Sequence, residues 1–173
     1  MGEASELVLR EANLAELREA LIEGELDLII IPSVGPLPLF EHRIIDAEPV
    51  VLLDPRSSSR DPIEIEELSQ RELILVPDTC GLTTFTRDLL ASHSLAMRSY
   101  PGEALSYRVL EEWSALGLGA AILPVSRLTD PEHAARPITD EGIEVEIFYE
   151  AVWDKRAALA SELRELVGAL EQR

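Results

Sequence analysis

The segment Asp78-Thr79-Cys80-Gly81-Leu82-Thr83-Thr84 gathers the residue types of this chain best able to do chemistry. It stands between the apolar run Leu73-Ile74-Leu75-Val76 and a helical pattern from about Leu82 to Ser92. Backbone N–H groups, three threonine hydroxyls and a glycine therefore meet at a helix N-terminus. That combination suits a carboxylate or a phosphate, because the first N–H groups of a helix lack partners and its dipole favours an anion. The same residues allow a purely local role, in which Thr79, Thr83 or Asp78 caps the helix. Cys80 also has two readings. It is either a thiolate made more reactive by the helix terminus or an ordinary packed thiol, with no histidine nearby in the sequence to serve as its base.

Other constellations are missing. His42, His93 and His133 are far apart and lack any HxxxH-type spacing. Each is read as a surface or hydrogen-bonded residue, and no zinc site is expected. The chain has no GxSxG elbow and no phosphate-binding GxxxxGK[ST]. Gly117-Leu118-Gly119 looks like half of a dinucleotide fingerprint, but it precedes the strand Ala120 to Leu123 instead of following one. It is read as a helix C-cap and tight turn. Glu66-Glu67 and Glu111-Glu112 are read as solvated helix faces. Neither a metal nor any other cofactor is expected.

The elements that must position these residues follow from periodicity. Glu6 to Glu11 reads as a strand, Asn13 caps a helix carrying Leu14, Leu17, Leu21 and Ile22, and Gly24 ends it. The run Leu26 to Ile31 is a strand of the kind buried on both faces in a parallel sheet, which completes a βαβ unit. A Pro/Gly-rich loop, Pro32 to Pro38, sits at its carboxyl end. Phe40 to Ala47 then leads into an apolar strand, Pro49 to Leu53. After a polar loop, Asp54 to Asp61, come a short helix Glu64 to Leu68 and the strand Leu73 to Pro77. Beyond the helix at Leu82 the order is strand Met97 to Tyr100, helix Gly102 to Leu116 and strand Ala120 to Pro124, so the middle of the chain repeats β-loop-α-β. A proline-interrupted connection, Ser126 to Pro137, precedes an alternating strand, Ile143 to Tyr149, and a C-terminal helix within Lys155 to Glu171. The fold class is α/β with two lobes, the chain crossing near Ala47 to Val50 and again near Phe148 to Val152.

Composition bounds the partners. The 173 residues carry 33 Asp plus Glu against 15 Lys plus Arg, a formal net charge of −18. Such a charge repels phosphate backbones and anionic membrane surfaces, so direct contact with nucleic acid or membrane is not expected. The single cysteine forbids an internal disulfide and fits a reducing compartment. Met1 to Glu6 has neither a basic nor an apolar region of a secretion signal, and the longest apolar run is too short to span a bilayer. A cytoplasmic location is expected.

Taken in order, the segments resemble the effector-binding domain of LysR-type transcriptional regulators. Arg10 to Leu17 followed by Glu23-Gly24-Glu25-Leu26-Asp27-Leu28-Ile29-Ile30 is similar to that family's strand, helix and "GelDlaI" signature. Glu48-Pro49-Val50-Val51-Leu52-Leu53 resembles its crossing into a second lobe. Leu73 to Val76 with Thr79-Cys80-Gly81 matches the strand and pocket loop that follow, and Ala115 to Pro124 is close to "aGlGiaiLP".

The resemblance implies a type 2 periplasmic-binding-protein-like fold of two Rossmann-like lobes, with residues 1–48 and 143–173 in the first and 49–142 in the second. It implies a small, anionic effector in the cleft between them, held by Thr79, Cys80, Gly81, Leu82, Thr83 and Thr84. Asn13, Ser33, Val34, Tyr100 and Gly102 would supply other walls. It implies a homo-oligomer, a dimer or higher, that catalyses nothing and responds to its ligand by population shift. The family's winged helix-turn-helix has no counterpart in the sequence, so DNA would be reached through another domain, and the first βα unit of the family's effector domain is lacking before Glu6. An incomplete first sheet would favour pairing with another subunit. The alternatives are a prephenate dehydratase-like lyase, for which Thr84-Phe85-Thr86-Arg87 has its residues in the wrong order, and a solute receptor, which would need export.

Overall fold

The computed structural model describes residues 6–130 and 133–171. Residues 1–5, which carry the reading of no secretion signal, lie outside the described residues, as do 131–132 of the proline-interrupted connection and 172–173.

Local chemistry fixes the first helix, α1 (Leu14–Ile22). The Asn13 side chain accepts Glu16 N at 2.9 Å, and Glu16 Oε2 accepts Asn13 N at 3.3 Å, a reciprocal cap. Replacing Asn13 with alanine is expected to lower stability by about 1 kcal/mol. A urea midpoint identical to that of the parent protein would show the cap to be dispensable.

Strand β1 (Leu28–Pro32) and the thirteen-residue β2 (Glu41–Leu53) follow. A two-residue β3 (Ile63–Glu64) leads into a 3-10 turn over Ile65–Gln70. Then come β4 (Glu72–Leu75), α2 (Gly81–Ser92), β5 (Arg98–Glu103), α3 (Tyr107–Ala115) and β6 (Ala121–Pro124), the repeated β-loop-α-β of the sequence. Within it β4 and β5 are parallel, and Leu73 bridges Ala120 in the same sense. The chain closes with β7 (Ala135–Asp140), β8 (Ile143–Glu144), β9 (Glu146–Trp153) and α4 (Ala160–Leu170). One path of strands runs β1-β9-β2-β7-β3, with β6 also on β2 and β8 on β7.

β2 joins two packing units. Its residues Glu41 to Pro49 pair with β9, whereas Val50 to Leu53 pair with β6 and Val51 to Leu53 also with β7. On one side Trp153 and Ala151 pack against Leu163 and Val167 of α4, and Ile29, Ile31 and Val152 against Leu21 of α1. On the other side Val50, Leu52, Ile63, Leu73 and Ile122 form one cluster, and Ile74, Leu82, Leu110 and Leu123 a second. No helix among the described residues is long and apolar enough to cross a membrane.

Several expectations need correction. Glu6 to Ala12 is not a strand. Among the described residues it pairs with no strand, and Leu7, Val8 and Leu9 are exposed. A strand propensity without a ladder partner gains no hydrogen bonds, so it stays irregular. Among the described residues the expected N-terminal βαβ unit is therefore not formed, and β1 pairs there with the antiparallel β9 alone. Nor is β1 buried on both faces: Ile29 and Ile31 enter the core, while Ile30 is 47 % exposed. Glu41 to Ala47 and Pro49 to Leu53 are parts of one strand, β2, and Phe40 lies just before it. Helix α3 begins only at Tyr107, because β5 runs on to Glu103 and Ser106 caps the helix by accepting Val109 N at 3.2 Å. Glu111 is no solvated residue either, with a side chain only 2 % exposed, whereas its neighbour Glu112 sits outside in an ion pair with Arg108.

Gly117 and Gly119 behave as the C-cap and tight turn read from the sequence. Gly117 takes φ +81° just after α3, and a Cβ on Gly119 would lie 2.9 Å from Glu72 O.

Candidate functional site

The carboxyl ends of β1, β4, β5 and β6 open into one cleft of about 720 Å³. Each strand delivers its own wall. β1 ends at Pro32, β4 runs into Val76 to Gly81, β5 into Leu105-Ser106-Tyr107, and β6 into the turn that carries Arg127. The capped start of α1 supplies Asn13, Leu14 and Leu17, preceded by Arg10 to Ala12, and β9 adds Ile147 and Tyr149. Ligands of open α/β folds lie at such strand ends, and the volume is in the range of small-molecule sites.

The turn before α2 sits in this wall. Cys80 is the N-cap of α2 and no side chain caps the helix. The local alternative therefore does not hold: Thr83 Oγ1 turns inward and donates to Val76 O at 2.6 Å, Asp78 Oδ1 accepts Arg87 Nη2 at 2.6 Å, and Thr79 O accepts Leu14 N at 3.1 Å. The positive end of α2 is left to the cleft.

Two polar groups continue the wall from Cys80. Tyr107 Oη lies 3.4 Å from Cys80 Sγ, and the Arg127 guanidinium carbon stands 5.5 Å from the centre of the Tyr107 ring, a cation–π contact. Burial, with the Cys80 contact added, pushes the Tyr107 hydroxyl above its usual pKa. Tyr149 Oη donates to Glu48 Oε1 at 2.7 Å, and Ser126 donates to the same carboxylate through N and Oγ, both at 2.8 Å. Burial pushes Glu48 up, but the donors Tyr149 and Ser126 and the charge of Arg127 outweigh it and hold Glu48 below the ordinary 4.5. Tyr149 in turn is raised, by burial first and then by its bond to Glu48. Glu48 is thus ionised at neutral pH, and both tyrosines remain neutral donors.

Of the residues expected at a site, Asn13, Thr79, Cys80 and Gly81 line this cleft. Asn13 spends its side-chain oxygen on the α1 cap. The structure places the others elsewhere. Leu82 is buried in the second unit's core, Thr83 is bonded to Val76, and Thr84 lies half-buried inside α2. Ser33 Oγ donates to Glu150 Oε2 at 3.1 Å, and Val34 N to Pro32 O at 2.9 Å. Tyr100 packs edge-on against Trp113, and Gly102 backs onto both rings. The extra length of β5 explains the last two, since the strand end that meets the cleft is 104–107 and not 100–102.

Tyr107, Arg127, Tyr149 and Glu48 were not singled out from the sequence. The signal that finds Tyr107 and Arg127 is position: each follows the carboxyl end of a strand in the β-loop-α-β repeat. The three histidines are hydrogen-bonded, each to a carboxylate: His42 to Glu150, His93 to Asp140 and His133 to Glu111, all at 3.0 Å. Among the described residues no three of His, Cys, Asp and Glu come together in a way that would hold a metal ion.

A family model described as the LysR substrate binding domain matches residues 4–173. A search of curated proteins finds no match to the sequence. Among solved structures, the Corynebacterium glutamicum OxyR C206 mutant superposes with a TM-score of 0.79 at 17 % identity, covering 93 % of this chain and 52 % of that one. The regulatory domain of Synechocystis PCC6803 CcmR in complex with 2-PG gives 0.75 at 16 % identity, over 97 % of this chain and 84 % of that one. The effector-binding domain of QuiR in complex with shikimate gives 0.73 at 14 % identity, over 93 % and 79 %. The chain spans about half the length of the OxyR chain. These likenesses establish the fold, mixed α/β in two lobes of the periplasmic-binding-protein-like type 2 form.

Proposed function

The chain belongs to the LysR substrate-binding domain family, and from that membership we propose that its cleft receives a small anionic effector whose occupancy is passed to partner subunits. Residues 1–48 and 143–173 form the first lobe in this reading, and 49–142 the second. The observation that carries it is the wall of the cleft. An uncapped helix N-terminus at Cys80 and Gly81 stands beside Arg127 and the neutral Tyr107 hydroxyl, around an interior also lined by Leu14, Leu17 and Ile30. In a chain of net charge −18, bulk electrostatics repels anions, so an anion is retained only by directed donors such as these.

The mechanism is population shift. An effector that contacts both lobes binds best to one arrangement of them and stabilises it, and a homo-oligomer, dimeric or higher, transmits the change. The protein acts in the cytoplasm, performs no catalysis and meets DNA only through another domain. Family membership favours this reading over a lyase or a solute receptor.

Thermal denaturation of the chain in millimolar small carboxylates and phosphate monoesters tests it. A saturable rise in Tm is expected, amounting to about 2.7 kcal/mol of added stability at a hundredfold excess over Kd. A panel in which no compound raises Tm, repeated with the same result after Arg127→Gln, would sink the proposal.

A further inference from the structure

One arrangement beside the cleft has a purpose that effector binding in general does not explain. The short segment Ser126 to Asp130 is gripped at both ends by carboxylates from other elements. At its start, Ser126 N and Oγ both donate to Glu48 of β2 at 2.8 Å. At its end, Thr129 N and Oγ1 donate to Glu111 Oε2 at 3.0 and 2.6 Å, and Asp130 N donates to Glu111 Oε1 at 2.9 Å. Glu111 is buried and takes His133 Nδ1 as its fourth contact. A buried carboxylate is tolerated when donors fill its lone pairs, and losing them is costly. The five residues Ser126 to Asp130 are therefore held at both ends by hydrogen bonds.

What the two grips hold between them is Arg127. Its guanidinium stands over the ring of Tyr107, and Tyr107 lies one turn before Glu111 on α3. One helix face thus stacks the arginine and anchors the loop that bears it. Arg127 forms no ion pair among the described residues, whereas Arg10, the other arginine of the cleft, is paired with Glu25 at 3.1 Å. The Tyr107 ring spans the gap from Arg127 on its face to Cys80 at its hydroxyl.

We infer that Arg127 reads the anionic group of the ligand and that Glu48 and Glu111 are positioning residues that hold it for this task. The inference rests on the reading of the cleft as the effector site. The ligand class is a compact organic anion, a carboxylate or a phosphate monoester, with an apolar body facing Leu14, Leu17 and Ile30. A planar guanidinium fixed at both ends of its loop meets such a group bidentately and with little ordering left to do.

The test follows the Arg127 Nε–H and the backbone N–H groups of Thr79, Cys80 and Gly81 by NMR in the 15N-labelled chain. Benzoate probes the carboxylate and phenyl phosphate the phosphate monoester. Saturable shifts at both places are expected with at least one probe, and the probe that binds identifies the group. Arg127→Gln is expected to weaken that probe by about tenfold or more, Arg127→Lys by less, and Arg10→Gln hardly at all. Glu111→Gln is expected to weaken it by about threefold or more and to broaden the Arg127 Nε–H signal, while Glu111→Asp recovers part of the loss. If Glu111→Gln fails to fold, Thr129→Val removes one grip and is read the same way. Cleft amides that still shift with undiminished affinity in Arg127→Gln overturn the inference and leave the effector site standing. Undiminished affinity in a folded Glu111→Gln or Thr129→Val overturns the positioning role. No saturable shift with either probe overturns both the inference and the reading on which it rests.

Discussion

Alanine at position 81 is expected to push the two walls of the cleft apart. The need for glycine here is one of space, not of backbone conformation: a Cβ would sit 2.8 Å from Pro32 Cγ, 3.1 Å from its Cβ and 3.3 Å from its Cδ. A pyrrolidine ring cannot rotate out of the way. Pro32 is held by the pairing of β1 with β9 and by the bond from Ser33 N to Phe148 O at 2.8 Å. Gly81 is held by Thr83 Oγ1 on Val76 O and by Cys80 N on Pro77 O. With both neighbours anchored in different packing units, the strain is relieved by separating those units. Overpacking of this kind costs about 1–3 kcal/mol, and the bond from Leu14 N to Thr79 O, which crosses the same gap, is lost with it. Amide exchange reads the result directly. Leu14 N–H is expected to exchange faster in Gly81→Ala while core amides such as that of Leu52 slow or speed only with global stability. Unchanged protection at Leu14 would show that the contact is soft.

Removing the Asp54 carboxylate is expected to be the most destabilising single polar change. Its side chain is 1 % exposed and accepts Arg71 Nε at 2.8 Å, with Arg136 Nη1 at 3.9 Å and its own loop's Arg56 N at 3.0 Å. Asp54→Ala leaves two mostly buried guanidinium groups facing one another without a counter-ion. Breaking a buried pair in this way costs about 3–5 kcal/mol, a large part of a stability of about 5–15 kcal/mol. The urea midpoint is expected to fall with the slope unchanged. The exposed pair Arg87–Asp78 provides the contrast: Asp78→Asn is expected to leave the midpoint where it was. Equal effects of the two substitutions would contradict the burial argument.

What the sequence reveals divides along the range of the interactions involved. Helix α1 was legible because its signals, Asn13, the spacing of Leu14, Leu17, Leu21 and Ile22, and Gly24, lie within a few residues of each other. The turn Thr79-Cys80-Gly81 was legible because a strand end and a helix start are both local patterns. Tyr107, Arg127 and Tyr149 were not, since only the stacking of separate strands brings them to one wall. Tyr100 and Gly102 lie away from the cleft for a related reason. An error of three residues in the end of β5 moves a side chain from the cleft to the outer packing. The acidic residues were the least legible. Among 33 carboxylates, nothing local separates the buried Asp54, Glu111 and Glu150 from their solvated neighbours. Their side-chain partners come from 17 to 117 residues away. Glu6 to Glu11 shows the converse, a run with the composition of a strand that finds no strand to pair with among the described residues.

β2 carries a mechanical consequence. Because one unbroken strand is laced to β9 along its first part and to β6 and β7 along its last, the two units share a beam instead of being joined by a flexible link. A beam of this kind resists bending within the plane of its hydrogen bonds and yields to twist about its length. Relative motion of the units is then expected to be a swivel about the strand's length, like that of a torsion spring. The irregular step at Ile45 and the proline at 49, which has no N–H to give, are the points along the beam where the twist is most easily absorbed.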